Sequence, residues 1–354
     1  MFRSTPKALA LGASVSIGLF GATPGALAAE FEFKVAHVGA VTQPIQKCVE
    51  VMKSYVDTYS NNRIDMQIFP AGQLGNFRQN VEQVQIGSIE MSITTGGGIS
   101  NVHGPIQAFD IPYLFKNDRI IGKVREDAEL NQMLGDDILK ATKTVRLFGI
   151  SGSGGWRSFV LDKGPINKLP DDWQGKKIRT VESPISMELA RAVGLAPTPI
   201  PWQELYTSLA TGIVYGSKNT LTHIMAMNFE EFLKLIYMDN HTPMLLFWWI
   251  NDPWLQSLPD ELKSVIVGGM ERLKTVCNGY YEVSQLPLYK KFADAGGKIQ
   301  VPTEEQMAFL KKGQVAVEKW FVEKYGTKYP DAIRAAVKRA EIAIAAEDKR
   351  LLGK

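Results

Sequence analysis

Two arginines carry the first readable chemistry. Arg179 lies in Lys177-Ile178-Arg179-Thr180, and Arg157 lies in Trp156-Arg157-Ser158-Phe159. Each is flanked by apolar residues in a predicted strand. A planar guanidinium held in a sheet can grip a carboxylate through two parallel hydrogen bonds. An unpaired arginine in such a strand is costly to bury. Three readings follow for each: it faces solvent, pairs with a structural carboxylate, or lines a cleft and receives an anionic ligand. Trp202 stands at the start of a helix, two residues after Ile200. Its ring is either buried core or an apolar wall against a ligand.

Signatures of catalysis are absent from the sequence. The histidines His37, His103, His223 and His241 form no i, i+4 pair that would present a metal site on one helix face. There is no G-x-S-x-G elbow and no phosphate-binding P-loop. Gly96-Gly97-Gly98 lacks dinucleotide-loop spacing, so these glycines read as a tight turn or a place where backbone approaches a ligand. Cys48 and Cys277 are the only cysteines. They read as free, buried thiols on separate helices, with a disulfide as the alternative that an exporting compartment would permit.

The elements that must position these residues alternate. Phe31, Phe33 and Val35 alternate with Glu32 and Lys34, a strand pattern, and Pro44 then opens a helix with an apolar stripe. Ile64, Met66 and Ile68 predict a second strand, Asn76 to Ile86 a helix, and Met91 and Ile93 a third strand. Such strand–helix–strand repetition marks a largely parallel α/β sheet. A strand over Val145 to Ile150 leads into Ser151-Gly152-Ser153-Gly154-Gly155, which reads as a crossover between two lobes. A second α/β unit follows from Trp156 to about Pro243. Phe247-Trp248-Trp249-Ile250 predicts a fully buried strand. The last third is helical, over Glu261 to Ala295 and Glu304 to Tyr325, broken by Gly296-Gly297.

The N-terminal residues read as an export signal: Arg3 and Lys7, then the uncharged run Ala8 to Phe20, then the small-residue site Ala26-Leu27-Ala28. The apolar run falls short of the roughly 20 residues a membrane span needs. Removing residues 1–28 takes away Arg3 and Lys7, and the formal charge goes from +3 to +1. A nearly neutral chain without clustered basic residues argues against nucleic-acid binding.

Several ordered blocks resemble one family. Phe69-Pro70-Ala71-Gly72-Gln73-Leu74-Gly75, Glu82 to Gly87, Phe109-Asp110-Ile111-Pro112-Tyr113-Leu114-Phe115, Gly175 to Thr180 and Pro197 to Gly212 are similar to the periplasmic solute-binding proteins of TRAP transporters, the DctP-like family. The resemblance implies a two-lobed α/β fold of the Venus-flytrap type. Each lobe would hold a central sheet flanked by helices, with long helices linking the two. Lobe 1 would comprise residues 29–153 plus about 245–285, and lobe 2 residues 154–244 plus about 286–354.

By the same resemblance, Arg179 matches the carboxylate-binding arginine and Arg157 a second arginine that reaches the ligand. Trp202 matches an aromatic packed on the substrate, and Asn219 an asparagine that completes the clamp. His37, Thr95 and His241 match cleft-side positions. In Val214-Tyr215-Gly216-Ser217-Lys218-Asn219, Lys218 replaces a family acid. It either faces the cleft, adding positive charge, or is structural. The implied function is a periplasmic, monomeric receptor for a small organic acid, delivered to a TRAP permease, with no cofactor and no metal. A sensor for a membrane kinase and a secreted enzyme acting on an organic acid are the alternatives.

Overall fold

The structure, a computed structural model, describes Met1 and residues 29–353. The expected export signal therefore lies outside the described residues. Among the described residues, nine strands form one mixed sheet: β1 Phe31–Ala36, β2 Ile64–Phe69, β3 Met91–Thr94, β4 Val145–Leu161, β5 Lys177–Thr180, β6 Ala196–Pro199, β7 Gly216–Asn219, β8 Leu235–Asn251 and β9 Lys298–Gln300. Their order is β2-β1-β3-β8-β4-β7-β5-β6, with β9 added to β8. β1 pairs in parallel with β2 and β3, and β5 pairs in parallel with β6 and β7.

The long antiparallel pair β4–β8 joins two halves of this sheet. In the first half, β3 pairs with Phe247 to Ile250 of β8, which in turn pairs with Val145 to Gly152 of β4. In the second half, β7 pairs with Ser158 to Leu161 of β4. The glycine-serine run, expected as a crossover between lobes, is a bulged stretch inside β4, which passes here from the first half of the sheet to the second and continues to Leu161. The register shifts between Gly152 and Trp156, and Gly154 and Gly155 sit at φ +95° and +96°. Only glycine adopts that backbone without strain, so these two residues let one strand bend without breaking its pairing.

Local sequence accounts for the flanking helices. Pro44 occupies the first turn of helix Pro44–Tyr59, where its missing N–H costs nothing. Helix Phe77–Ile86 begins with a capping box between Asn76 and Gln79 and ends on Gly87 in the left-handed region. The predicted helix over Glu261 to Ala295 is two helices, Asp260–Gln285 and Leu288–Asp294. Pro287 divides them because it has no N–H to continue the ladder. Helix Lys328–Leu352 went unread in the sequence. It packs on helix Asp118–Arg125 and its neighbours, with Lys116 bonded to Glu341 and Arg339 to Asp127.

Helices Pro44–Tyr59 and Asp260–Gln285 pack together behind the first half of the sheet, over Phe33, Met66, Ile93 and Trp248. Their contact brings the Cα atoms of Cys48 and Cys277 to 5.3 Å, and the two form a disulfide. The expectation of free thiols is corrected here. The cysteines are 229 residues apart, and only the packing of two helices sets their separation.

Candidate functional site

A cavity lies between the two halves, with about 660 Å³ of empty space including solvent at its mouth. Of the residues singled out in the sequence, His37, Thr95, Arg157, Arg179, Trp202, Lys218 and Asn219 line it. They come from several strands and the turns after them. His37 follows β1, Thr95 follows β3, and Asn219 ends β7. Such strand ends, where turns lead into helices, are where α/β sheets build ligand sites.

Arg179 sits mid-sheet in β5, opposite Thr198 of β6 and Ser217 of β7. Its side chain is 4% exposed. Nε donates to the carbonyl of Ile200 at 3.0 Å, and the guanidinium lies 5.7 Å from the Trp202 ring centroid. Among the described residues no carboxylate pairs with it. Desolvation, then the charge of Arg157, push its pKa down to about 9, so it stays charged at neutral pH. One hydrogen bond and a cation–π contact of about 0.5–2 kcal/mol do not offset the several kcal/mol that burying a cation costs. The site therefore favours an anion at this position.

Arg157 is different. Its Nη1 donates to Asp110 Oδ1 at 2.7 Å, and both side chains are 8% exposed. The pair ties β4 to the segment Gly104–Asp110 after β3. Asp110 was not singled out in the sequence. Nothing in the spacing of residues 110 and 157 signals the contact.

Lys218 faces the interior. It is 5% exposed, lines the cavity and lies directly across from Phe159 of β4. Desolvation, then Arg157, push its pKa down to about 7, against the opposing pull of Asp110 and Asp239. Asn219, one residue on, ends β7 and lines the same cavity. Its side-chain oxygen accepts from the Thr220 N–H at 2.9 Å.

His241 is the exception. It lies in β8 behind the cavity wall, fully buried, with Nδ1 bonded to Asp239 Oδ2 at 2.8 Å. It does not line the cavity, so its expected cleft position is corrected. Asn240, between the two, sits at φ +47°, and the β4–β8 register shifts between Arg157 and Phe159.

Sequence reasoning missed Ser153, His223, Gln43 and Tyr281, all of which line the cavity. His223 Nδ1 lies 2.8 Å from Thr220 Oγ1 and Nε2 3.4 Å from Ser153 Oγ, and the neutral ring donates at one nitrogen and accepts at the other. Burial, then Arg157, hold it neutral, with a pKa near 3. The usable signal was local: Thr220 caps helix Leu221–Ala226 directly after Asn219, which places His223 at the same strand end. His37 is neutral too. Burial lowers it to about 4, and its Nε2 meets Gln46 Oε1 at 3.0 Å.

The two halves meet closely above the cavity. A Cβ on Gly97 would lie 2.7 Å from Ser183 Cβ, so a side chain there would push the halves apart. Gln107 Oε1 accepts from Ser183 Oγ at 2.9 Å and from the Ile185 N–H at 3.2 Å. Among the described residues, no group of three or more His, Cys, Asp or Glu is placed to hold a metal ion, and no helix is long and apolar enough to cross a membrane.

Comparison with known proteins agrees with this architecture. The model of bacterial extracellular solute-binding protein family 7, DctP, matches residues 35–324. The C4-dicarboxylate-binding periplasmic protein DctP of Rhodobacter capsulatus is 24% identical over 319 residues, covering 88% of this chain and 92% of that protein. A TRAP periplasmic solute-binding protein from Anaerococcus prevotii, solved with bound D-glucuronate, superposes with a TM-score of 0.82 at 22% identity. That match covers 88% of this chain and 99% of the other. A second, from Sulfurospirillum deleyianum with bound succinate, gives 0.78 at 24% identity, over 87% and 98%. These solved proteins share the two-lobed α/β fold. With a central sheet, a cavity at its strand ends and a family match across most of its length, this chain belongs to bacterial extracellular solute-binding protein family 7.

Proposed function

We propose that this protein is a periplasmic receptor that binds a small organic acid between its lobes and delivers it to a TRAP-type permease. The observation that carries this reading is Arg179: a buried guanidinium, without a carboxylate partner among the described residues, facing a cavity. Charge-assisted hydrogen bonds to a ligand carboxylate are worth roughly 1.5–3 kcal/mol each. Asn219 and Lys218 complete the clamp, Trp202 packs against the ligand, and Arg157 acts through its charge while paired with Asp110. The carboxylates in the solved relatives, glucuronate and succinate, support the same ligand chemistry.

His37 and Thr95 reach the ligand from the first half. Contacts from both halves to one ligand give closure its differential free energy. In this reading the lobes divide along the bend in β4, the protein acts as a monomer, and no metal or cofactor takes part. The ligand leaves chemically unchanged. Calorimetric titration of Arg179→Ala against a panel of organic acids tests the reading. Affinity should fall by roughly 100-fold or more with the melting temperature retained. Affinity near that of the parent protein would overturn the clamp.

A further inference from the structure

On the reading that Arg179 receives a carboxylate, we infer that the ligand is a monocarboxylate with an apolar body and one uncharged oxygen function away from the carboxylate. The first support is a charge balance. Arg157, Arg179 and Lys218 are each more than nine-tenths buried, as are Asp110 and Asp239 beside them. Three cations against two carboxylates leave one positive charge at most. The shift of Lys218 toward its neutral form lowers that further. Glu182, which also pulls on Arg179, is exposed and screened by solvent. One ligand carboxylate matches this balance, and a second would be buried without a counter-charge.

The second support is the rest of the lining. Every charged lining residue comes from the second half of the sheet. The first half offers His37, Gln43 and Thr95, all neutral, so a second anionic end finds no cation there. Around them the wall is apolar: Val38, Ile45, Phe77, Ile93, Met244 and Leu246. A ligand carrying a hydroxyl on each carbon would place several of them against this surface without partners, which is unfavourable.

The third support is a set of orphaned polar atoms. His37 Nδ1, Gln43 Nε2 and Thr95 Oγ1 are buried and have no hydrogen-bond partner. Beside them, His37 Nε2 is already engaged with Gln46, and Ser153 and His223 with each other. Buried polar atoms are rarely left unpaired. With Nε2 donating to Gln46 Oε1, the neutral His37 ring can only accept at Nδ1, so one ligand hydroxyl, donating there and accepting from the Gln43 amide and the Thr95 hydroxyl, satisfies the set.

The test is calorimetric titration of the full-length protein with matched probes. These are 4-hydroxyphenylacetate and phenylacetate, 6-hydroxyhexanoate and hexanoate, succinate, galactonate, and the neutral 4-hydroxyphenylacetamide. The expected result is that one hydroxylated monocarboxylate binds about tenfold or more tighter than succinate and galactonate, and roughly 2- to 10-fold tighter than its deoxy partner. Thr95→Val should shrink the preference for the hydroxylated member of the pair. Tighter binding of succinate or galactonate, lost in Arg179→Ala, overturns this inference and keeps the receptor reading. Failure of every monocarboxylate to bind also overturns the inference. If the amide binds as well as the acid and Arg179→Ala changes nothing, the carboxylate reading falls with it.

Discussion

The two halves of the sheet bring opposite chemistry to one cavity. The second half supplies Arg157, Arg179 and Lys218, all charged groups under heavy desolvation. The first half supplies neutral groups and apolar walls, and it is braced from behind by the Cys48–Cys277 disulfide. The difference teaches how such a site is built. Charge is costly to bury, so it is concentrated where Asp110 and Asp239 can balance most of it. The other half then covers the cavity with groups that need no counter-ion. Within the charged half the two arginines also divide their roles: Arg157 is paired, and Arg179 is left for a ligand.

The largest expected effect breaks that division. Arg157→Met leaves Asp110 buried and unpaired and should cost about 3–5 kcal/mol of stability, measured by denaturant unfolding. The double variant Arg157→Met/Asp110→Asn should recover much of the loss. Arg179→Met should do the reverse, removing binding while stability stays level or rises. An Arg157→Met protein as stable as the parent would mean that the two arginines play the same role.

Bracing of the neutral half is tested by Cys48→Ala/Cys277→Ala. Closing so long a loop restricts the unfolded chain, and the double variant should lose roughly 2–4 kcal/mol. Equal urea midpoints for the two proteins would show that helix packing alone holds this half together.

A smaller effect sharpens the picture of the charged half. Lys218 is pushed down to about 7 by burial and by Arg157. A carboxylate bound beside it favours the charged form and raises that value, so binding takes up a proton. Affinity should hold below about pH 7 and decline above it, by at most about tenfold per pH unit, until the higher value of the complex is passed. Lys218→Met should flatten the profile. A parent profile that is level from pH 6 to 9 would place Lys218 outside the ligand's electrostatic reach.

The sequence by itself determined the elements and marked some of the residues that line the cavity. Alternation in Phe31 to Val35, the Asn76 cap and the apolar run at Phe247 to Ile250 are local signals, and local backbone and side-chain preferences fix what they form. Arg179 and Trp202 were marked by residue type in a predicted strand and at a helix start, Asn219 only by the family resemblance, and all three line the cavity. Only the tertiary structure decided the rest. The Arg157–Asp110 pair, the Cys48–Cys277 bond and the inward face of Lys218 depend on how distant segments pack. The free energy that selects them, burial of charge and of helix faces, is absent until the chain has closed on itself.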